Sequence, residues 1–476
     1  MSKPLYRQVT GGASRIVMYR ETAPGMADAS DNGVILAIYD DSTAVSSNKQ
    51  SSSVITGKRG AGKPIAGTPD YSGGMNMAPY VAQTGHMLRA ICGSPVTVAE
   101  EAAALASSAV TSEGAGLVGL PAENNPFPQD CAVTILGTDN YDGTYRLEAG
   151  TSRTKLVISH AYVPETLSSG AKAHRGRGAF LKGAAIDKGD GKVGLPVAGA
   201  GVAFAVGDKV TVAGTTGYNG VHAIAEGTTA IELVIEASFT SETFDGTASA
   251  IPLFYRHSFK LPKVQPTVSL QKHFNFDEGA ADEPYSLFQS CKVNSYSFSF
   301  GGEQEIQFAI DWSMGSHEMR ASSLNASLEP KDLPQAGWAD KETAIWMDGV
   351  RLGDVQSGSI TQSFNIEAVA AVGDMGKRYR QSEGDPTCDV SFTAFLEEDK
   401  YQQLADASAK VSVDISMDNA AGDELWLHVY EAELDSSGPQ ITGKTGLTQD
   451  FTAMGYVDSG ETLCGYTLIN RVESYA

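Results

Sequence analysis

Cysteine is scarce in this chain. Five of 476 residues, Cys92, Cys131, Cys291, Cys388 and Cys464, are odd in number, far apart and free of any C-x-x-C. That spacing argues against a disulfide framework or a thiolate zinc site and predicts buried, unpaired thiols. No run approaches the ~20 apolar residues that a membrane span needs, so no membrane insertion is expected. The opening MSKPLYRQVTGG has no apolar core stretch, which predicts no signal peptide and synthesis in a cytoplasm. Cations are short as well: 35 Lys and Arg stand against 57 Asp and Glu, a formal charge of −22. Such a surface repels polyanions, which excludes gripping nucleic acid through a general basic face. It fits plain solubility, and it fits a surface that nucleic acid slides past.

Catalytic signatures are missing too. GKRGAGKP (57–64) holds Gly57, Gly62 and Lys63 in phosphate-loop register, but Pro64 stands where the motif needs a hydroxyl. Proline also has no N–H to offer a phosphate. His317-Glu318 is not followed by a second His at metalloprotease spacing, and no G-x-S-x-G elbow occurs. DKGDG (187–191) lacks calcium-loop ligand spacing. The expectation is a protein that is not an enzyme and carries no metal or cofactor.

What the chain does have is glycine, 51 residues of it, with frequent Ser and Thr, the mixture of many short strands and tight turns. Its length predicts two to four domains. The first 75 residues show no clear periodicity, and SSNKQSSS (46–53) reads as a loop. Near Pro79 a helix is predicted, with Tyr80, Thr84, Met87, Leu88 and Ile91 on one face and Gly93 past its end. Residues 99–126 read as a linker with one loose helical turn.

A repeat follows. Residues 127–166 and 204–243 align without gaps at an offset of 77, with 14 identities in 40 positions. Gly137/Gly214, Tyr141/Tyr218, Gly143/Gly220 and Leu156-Val157-Ile158 with Leu233-Val234-Ile235 are among them. Each copy reads strand, turn, strand, turn, strand, and being small the two are expected to pack together. The basic, Gly-rich segment 170–192 between them reads as a long exposed loop.

From Leu253 onward strict alternation predicts half-buried antiparallel strands at 293–300, 305–312, 359–368, 388–395 and 410–417. One short helix interrupts them at 396–408, with Leu396, Tyr401, Leu404 and Ala405 inward. Apart from Lys410 at the start of the last one, the polar faces of these strands carry Ser, Thr, Asn, Gln, Asp and Glu and no Lys or Arg. A conduit for DNA needs such a lining, since it offers phosphates nothing to hold; chance gives the same pattern. Gln307, Asp311, Thr361, Ser363, Asn365 and Glu367 are the candidate lining residues. Charge is also uneven along the chain. Residues 397–435 hold eleven acids against Lys400 and Lys410, and residues 1–90 hold nine Lys or Arg against six acids.

Two stretches carry a family resemblance. GTPDYSGGMNMAPYVAQTGHMLRAICGSP (67–95) resembles the N-terminal block of bacteriophage tail tube proteins. PTVSLQKHFNFDEGAADEPYSLFQSCKVNSYSFSFGGEQEIQFAIDWSMG (266–315) resembles their central block, with its P-x-x-S-L strand, V-N-S strand and G-G turn. The repeats, with G-D-x-V-x-V-x-G in the second copy, are similar to small β modules inserted in such proteins; Cys131 departs from that pattern where the second copy has Asp208. The resemblance implies a mainly β chain: an antiparallel β-sandwich with a flanking helix, built from residues 1–120 and 251–476, and inserted modules at 121–170 and 171–250. It further implies hexameric rings stacked into a tube that encloses a tape-measure protein and passes DNA. Tail terminator and distal tail or baseplate proteins would be its other partners, in a virion tail assembled in the host cytoplasm. The size of the inserted modules places them outside the tube and points to a non-contractile, siphovirus-type tail. A receptor- or carbohydrate-binding surface protein and a capsid decoration protein are the rival readings.

Overall fold

The structure is a computed structural model. It describes residues 14–475 apart from 51–63, 199–203, 275–284, 302–305, 326, 340–342, 354, 371–372, 374–375, 396–399, 420, 437–447, 459 and 461. Strands dominate, all sheet ladders are antiparallel, and two helices are present among the described residues, so the expected mainly β class holds. The chain divides into two compact units. The first takes Met1–Pro95, Phe259–Ser416 and Trp426–Tyr466; the second takes Val96–Ser258, Met417–Leu425 and Thr467–Ala476.

Unit 1 is built on strands β1 (Arg15–Ala23), β2 (Val34–Leu36), β3 (Asp70–Met77), β4 (Val268–His273), β5 (Tyr285–Gly301), β6 (Gln307–Ser313), β7 (Ser316–Arg320), β8 (Val355–Ser363), β9 (Thr387–Phe395), β10 (Glu424–Ser436), β11 (Thr448–Gly455) and β12 (Cys464–Asn470), with helices α1 (Val81–Cys92) and α2 (Lys400–Asp406); the first two residues of β10 and the last four of β12 count with unit 2. The organising element is the 17-residue β5. Its first half pairs with β4 and β7, and its second half with β6 and β8. Between the halves Ser290 has a φ of +54°, and Gly315 leaves room for it, since a Cβ there would stand 2.6 Å from the Ser290 Cβ. A strand that bends at such a point serves two sheets at once.

The helix α1 forms where predicted, but Pro79 precedes it, Tyr80 is its N-cap and Gly93 its C-cap at φ +84°. It is buried on nearly every side rather than along one stripe, including Gln83, which donates to the Ala37 and Ala78 carbonyls. That enclosure pushes His86 down to about 4. In α2, Tyr401 packs edge-on against Phe392 and Phe451; Leu396 lies outside the described residues. The aperiodic first 75 residues contain β1, β2 and β3, and Ser46 and Lys49-Gln50 of the expected loop are themselves strand.

Unit 2 holds the repeats, and they are larger than the aligned segments. In the first copy Ala103–Ala104, Lys172–Arg175, Ala132–Leu136 and Gly143–Arg146 form one sheet, and Thr111–Gly114, Leu117–Pro121 and Lys155–Ser159 another. The second copy repeats this with Ala179–Ala184, Thr243–Pro252, Lys209–Ala213 and Gly220–Ala223, then Ile186–Gly189, Lys192–Ala198 and Glu232–Glu236. Residues 99–126 are therefore no helical linker, and 170–192 is no exposed loop: both are strand, and Arg175 is 4% exposed. Each copy encloses its own core, around Val133, Tyr141 and Ile158 in one and Val210, Tyr218 and Ile235 in the other. All five cysteines are buried and free, as the spacing predicts.

Candidate functional site

The candidate face grows from β5. Its alternation sends Tyr296 and Phe298 into the core and turns Ser295, Ser297 and Ser299 outward. Residues directly opposite in an antiparallel pair share a face, so the ladder registers extend this row sideways. Ser295 faces Asp311 and Ser363, Ser297 faces Ala309 and Thr361, and Ser299 faces Gln307 and Ser359. Next to β6, Asn76 and Gly74 of β3 face Ala309 and Asp311. On the other side Thr361 faces Asp389, Asp389 faces Met454, and Thr393 faces Asp450. Finally Glu433 and Asp435 of β10 face Met454 and Thr452.

The result is one polar face across seven strands, lined by hydroxyls, amides and the carboxylates of Asp311, Asp389, Asp450, Glu433 and Asp435. No Lys or Arg occupies the positions named here; Lys292, opposite Ser313 beyond the bulge in β5, is buried and paired with Glu383. Its other side is the core: Phe308, Ile310, Trp312, Ile360, Val390, Phe392 and Phe451 are all buried.

Hydrogen bonds between side chains cross the strands of this face. Ser295 Oγ donates to Asp311 Oδ2 at 3.1 Å, and Thr393 Oγ1 donates to Asp450 Oδ1 at 2.7 Å. Ser391 and Thr452 hydroxyls meet at 3.1 Å. Gly74 matters here, because a Cβ at that position would stand 2.5 Å from Asp311 Oδ1. Partial burial pushes the Asp389 carboxyl up from its ordinary range. At one end the face dips into an open groove of about 510 Å³ between Ser299, Gln307, Ser359, Ser391 and Thr452. Nothing on it pairs a nucleophile with a base. It is a polar, anionic surface, suited to sliding contact and unsuited to binding phosphate.

Four of the six candidate residues lie on this face: Gln307 and Asp311 on β6, Thr361 and Ser363 on β8. The other two leave it. The expected strand at 359–368 breaks after Ser363, where Phe364 N–H donates to the Asn294 carbonyl and Asn365 adopts a φ of +49°. Glu367 then pairs with Ser382 in a separate two-stranded ribbon. Conversely, the sequence reading passed over β11, although TQDFTAMG alternates Asp450 and Thr452 outward with Phe451 and Ala453 inward. Of the near-miss phosphate loop, residues 57–63 lie outside the described residues.

The tyrosines on the repeat turns are enclosed. Tyr141 and Tyr218 are 0% and 1% exposed. The Tyr141 hydroxyl donates to the Val163 carbonyl at 2.5 Å and accepts from the Val163 N–H at 2.8 Å. Tyr218 does the same with the carbonyl and N–H of Thr240. Glu165 and Glu242 each grip two backbone N–H groups of the neighbouring turn. The two tyrosines are structural; the exposed aromatics of the two copies are Tyr162 and Phe239, which stand at equivalent positions.

The family model described as phage tail tube protein matches residues 11–455. No curated protein matches the chain.

Proposed function

Because the chain belongs to the phage tail tube protein family, we propose that the seven-strand polar face of unit 1 lines the channel of the tube. A member of this family is a structural component of the virion tail and assembles with itself and with other tail proteins. In the finer reading six copies form a ring and the rings stack. The channel encloses the tape-measure protein before infection and conducts DNA during ejection, with terminator and distal tail proteins closing the ends.

The observation that carries this reading is the absence of Lys and Arg from the paired positions of the polar face. DNA carries one charge per ~1.7 Å of axis, and a lining with cations would trap it by counterion release. Hydroxyls and carboxylates leave the duplex hydrated and mobile. Unit 2, with two modules each closed around its own core, is too bulky for a channel that passes a duplex; it decorates the outside of a non-contractile, siphovirus-type tail. Assembly takes place in the host cytoplasm. An electron cryomicroscopy map of tubes grown from the purified chain tests the reading. Ser297, Thr361 and Asp311 at the channel wall support it; those residues on the outer wall would overturn it.

A further inference from the structure

Four aromatic rings form a row on unit 1, outside the polar face. Trp426, His428 and Tyr430 alternate outward along the first half of β10, while Leu427 and Val429 between them are buried. The rings of Trp426 and His428 are parallel within 6°, those of His428 and Tyr430 within 14°, and each step is 6.0 Å between centroids. Trp346, on the strand Thr343–Met347, adds a fourth ring 5.6 Å from Trp426. Gly465 of β12 leaves room for the last ring, since a Cβ there would stand 2.5 Å from the Tyr430 hydroxyl oxygen. The chain has four tryptophans, and the other two, Trp312 and Trp338, are buried. Polar groups border the row. His428 Nδ1 lies 2.9 Å from Asp414 Oδ1, and Trp346 Nε1 donates to Ser416 Oγ at 2.8 Å. Both partners belong to the strand Lys410–Asp418, whose exposed or half-exposed positions are Lys410, Ser412, Asp414 and Asp418. No Leu, Ile, Val or Met faces outward on that strand, or on β10 as far as Tyr430.

We propose that this row is a binding site for a neutral, hexose-rich polysaccharide. It stands apart from the channel reading, because no residue of the row belongs to the polar face. A pyranose presents a flat face of C–H groups and a rim of hydroxyls, so it needs aromatic rings to lie on and acceptors beside them. The four rings supply the first, and the Asp414 carboxylate and Ser412 hydroxyl supply the second. Rings that repeat along a strand address successive sugars of an extended chain rather than a single one. A docking face for another protein has an apolar core in which aliphatic side chains fill the gaps between aromatic anchors. Serine and aspartate fill them here. Charge narrows the ligand further. Lys410, the one Lys or Arg among these outward positions, is already paired with Glu431. An acidic sugar would therefore meet Asp414 with no cation to offset it, which favours a neutral chain. On a virion tail such a site holds the particle reversibly against a glycan-coated surface.

The experiment uses the full chain, free and assembled, on a printed array of neutral and acidic bacterial polysaccharides. The expected result is binding to neutral hexose-rich chains in both states. W426A and Y430A each weaken it about tenfold, the loss of one stacked ring. The double variant Y162A/F239A, which removes the exposed aromatics of the modules, leaves it unchanged. Bound polysaccharide also shields tryptophan fluorescence from acrylamide, a signal that comes from Trp346 and Trp426 because Trp312 and Trp338 are enclosed. If W426A does not fold, Y430A and the fluorescence of the natural chain decide. No binding to any neutral polysaccharide would overturn the proposal, as would binding confined to acidic ones. Binding that survives both W426A and Y430A, or that is lost in Y162A/F239A, would overturn it as well. So would binding lost on assembly, since the face would then be a contact between copies of the chain.

Discussion

Arg175 and Glu424 are 249 residues apart in the chain and 2.6 Å apart in unit 2, with each side chain 3% exposed. The guanidinium also lies over the Phe127 ring and donates to Cys131 Sγ at 3.4 Å. Two charges so enclosed gain little net stability as a pair, but either one alone is severely unfavourable. E424Q is expected to destabilise unit 2 by about 3–5 kcal/mol in denaturant titrations. The double variant R175M/E424Q should recover most of that loss. A shift below ~1 kcal/mol, the range of surface pairs, would show that the pair is not enclosed.

The twin tyrosines test whether the modules are energetically separate. Y141F or Y218F removes a hydroxyl that both donates and accepts across a turn, leaving a part-buried N–H and carbonyl without that partner. Each is expected to lose about 1 kcal/mol. Since the two tyrosines belong to different cores, the double variant should lose the sum. A coupling energy above ~0.5 kcal/mol would mean the modules share one core after all.

The legible parts of this fold are those where burial alternates. The strands at 293–300 and 388–395 could be read because one face is aromatic or aliphatic and the other hydroxyl-bearing. The face in unit 1 was legible for the same reason, except where a local kink at Asn365 takes Glu367 off the ladder, which no pattern of polarity reveals. The strands before and between the repeats were not legible. Those at 103–121 and 172–198 are two to seven residues long, too short for a burial period to stand out. Val118-Gly119-Leu120-Pro121 and Val193-Gly194-Leu195-Pro196 pair identically with the equivalent strands, yet they recur at an offset of 75 rather than 77. Two extra residues in the second copy hid half of each module from an ungapped alignment.

Asp208 gives unit 2 a pH dependence. Burial pushes its carboxyl up to about 6, against the pull of Arg471 at 3.2 Å. The folded state thus favours the neutral acid. Its contribution is fully present below the unfolded value near ~4 and is lost as pH rises through about 6. D208N should therefore melt higher than the natural chain at pH 7.5, and this advantage should vanish by about pH 4. His174, pushed down to about 4 by burial, acts in the opposite sense in both proteins and cancels in the comparison. A difference in melting temperature that does not change with pH would refute the assignment.

The polar face predicts opposite outcomes for two acids. D311K places a cation on the face, at an exposed position of β6 beside β3, which lies at one end of the seven strands. Tubes should still assemble, but genome ejection should slow several-fold at low salt and recover as salt is raised, the signature of phosphate contact. E367K puts the same charge on the separate ribbon and should leave ejection unchanged. Equal slowing by both variants would count against the seven-strand face as the lining.

The modules leave and rejoin the chain through an antiparallel pair, in which Val96–Ala99 pairs with Tyr255–Ser258 and Ala99 stands opposite Tyr255; the second strand also pairs with β12. This register supplies a way to remove them cleanly. Excising residues 100–254 and joining Ala99 to Tyr255 through Asn-Gly converts the pair into a hairpin with a favoured two-residue turn. Glu424 loses Arg175 in the process, so the variant should also carry E424Q. Cutting instead at 121 and 250 strips Leu117–Pro121 of its partner Lys155–Ser159 and leaves an apolar edge, a route to aggregation. If the modules decorate the outside of the tube, the first excision gives tubes that are thinner in negative stain and have an unchanged channel, while the second gives aggregates. Tubes of unchanged outer diameter after the first excision would show that the modules do not project from the wall. Failure of that shortened chain to fold, measured by circular dichroism before any assembly, would show that unit 1 depends on them.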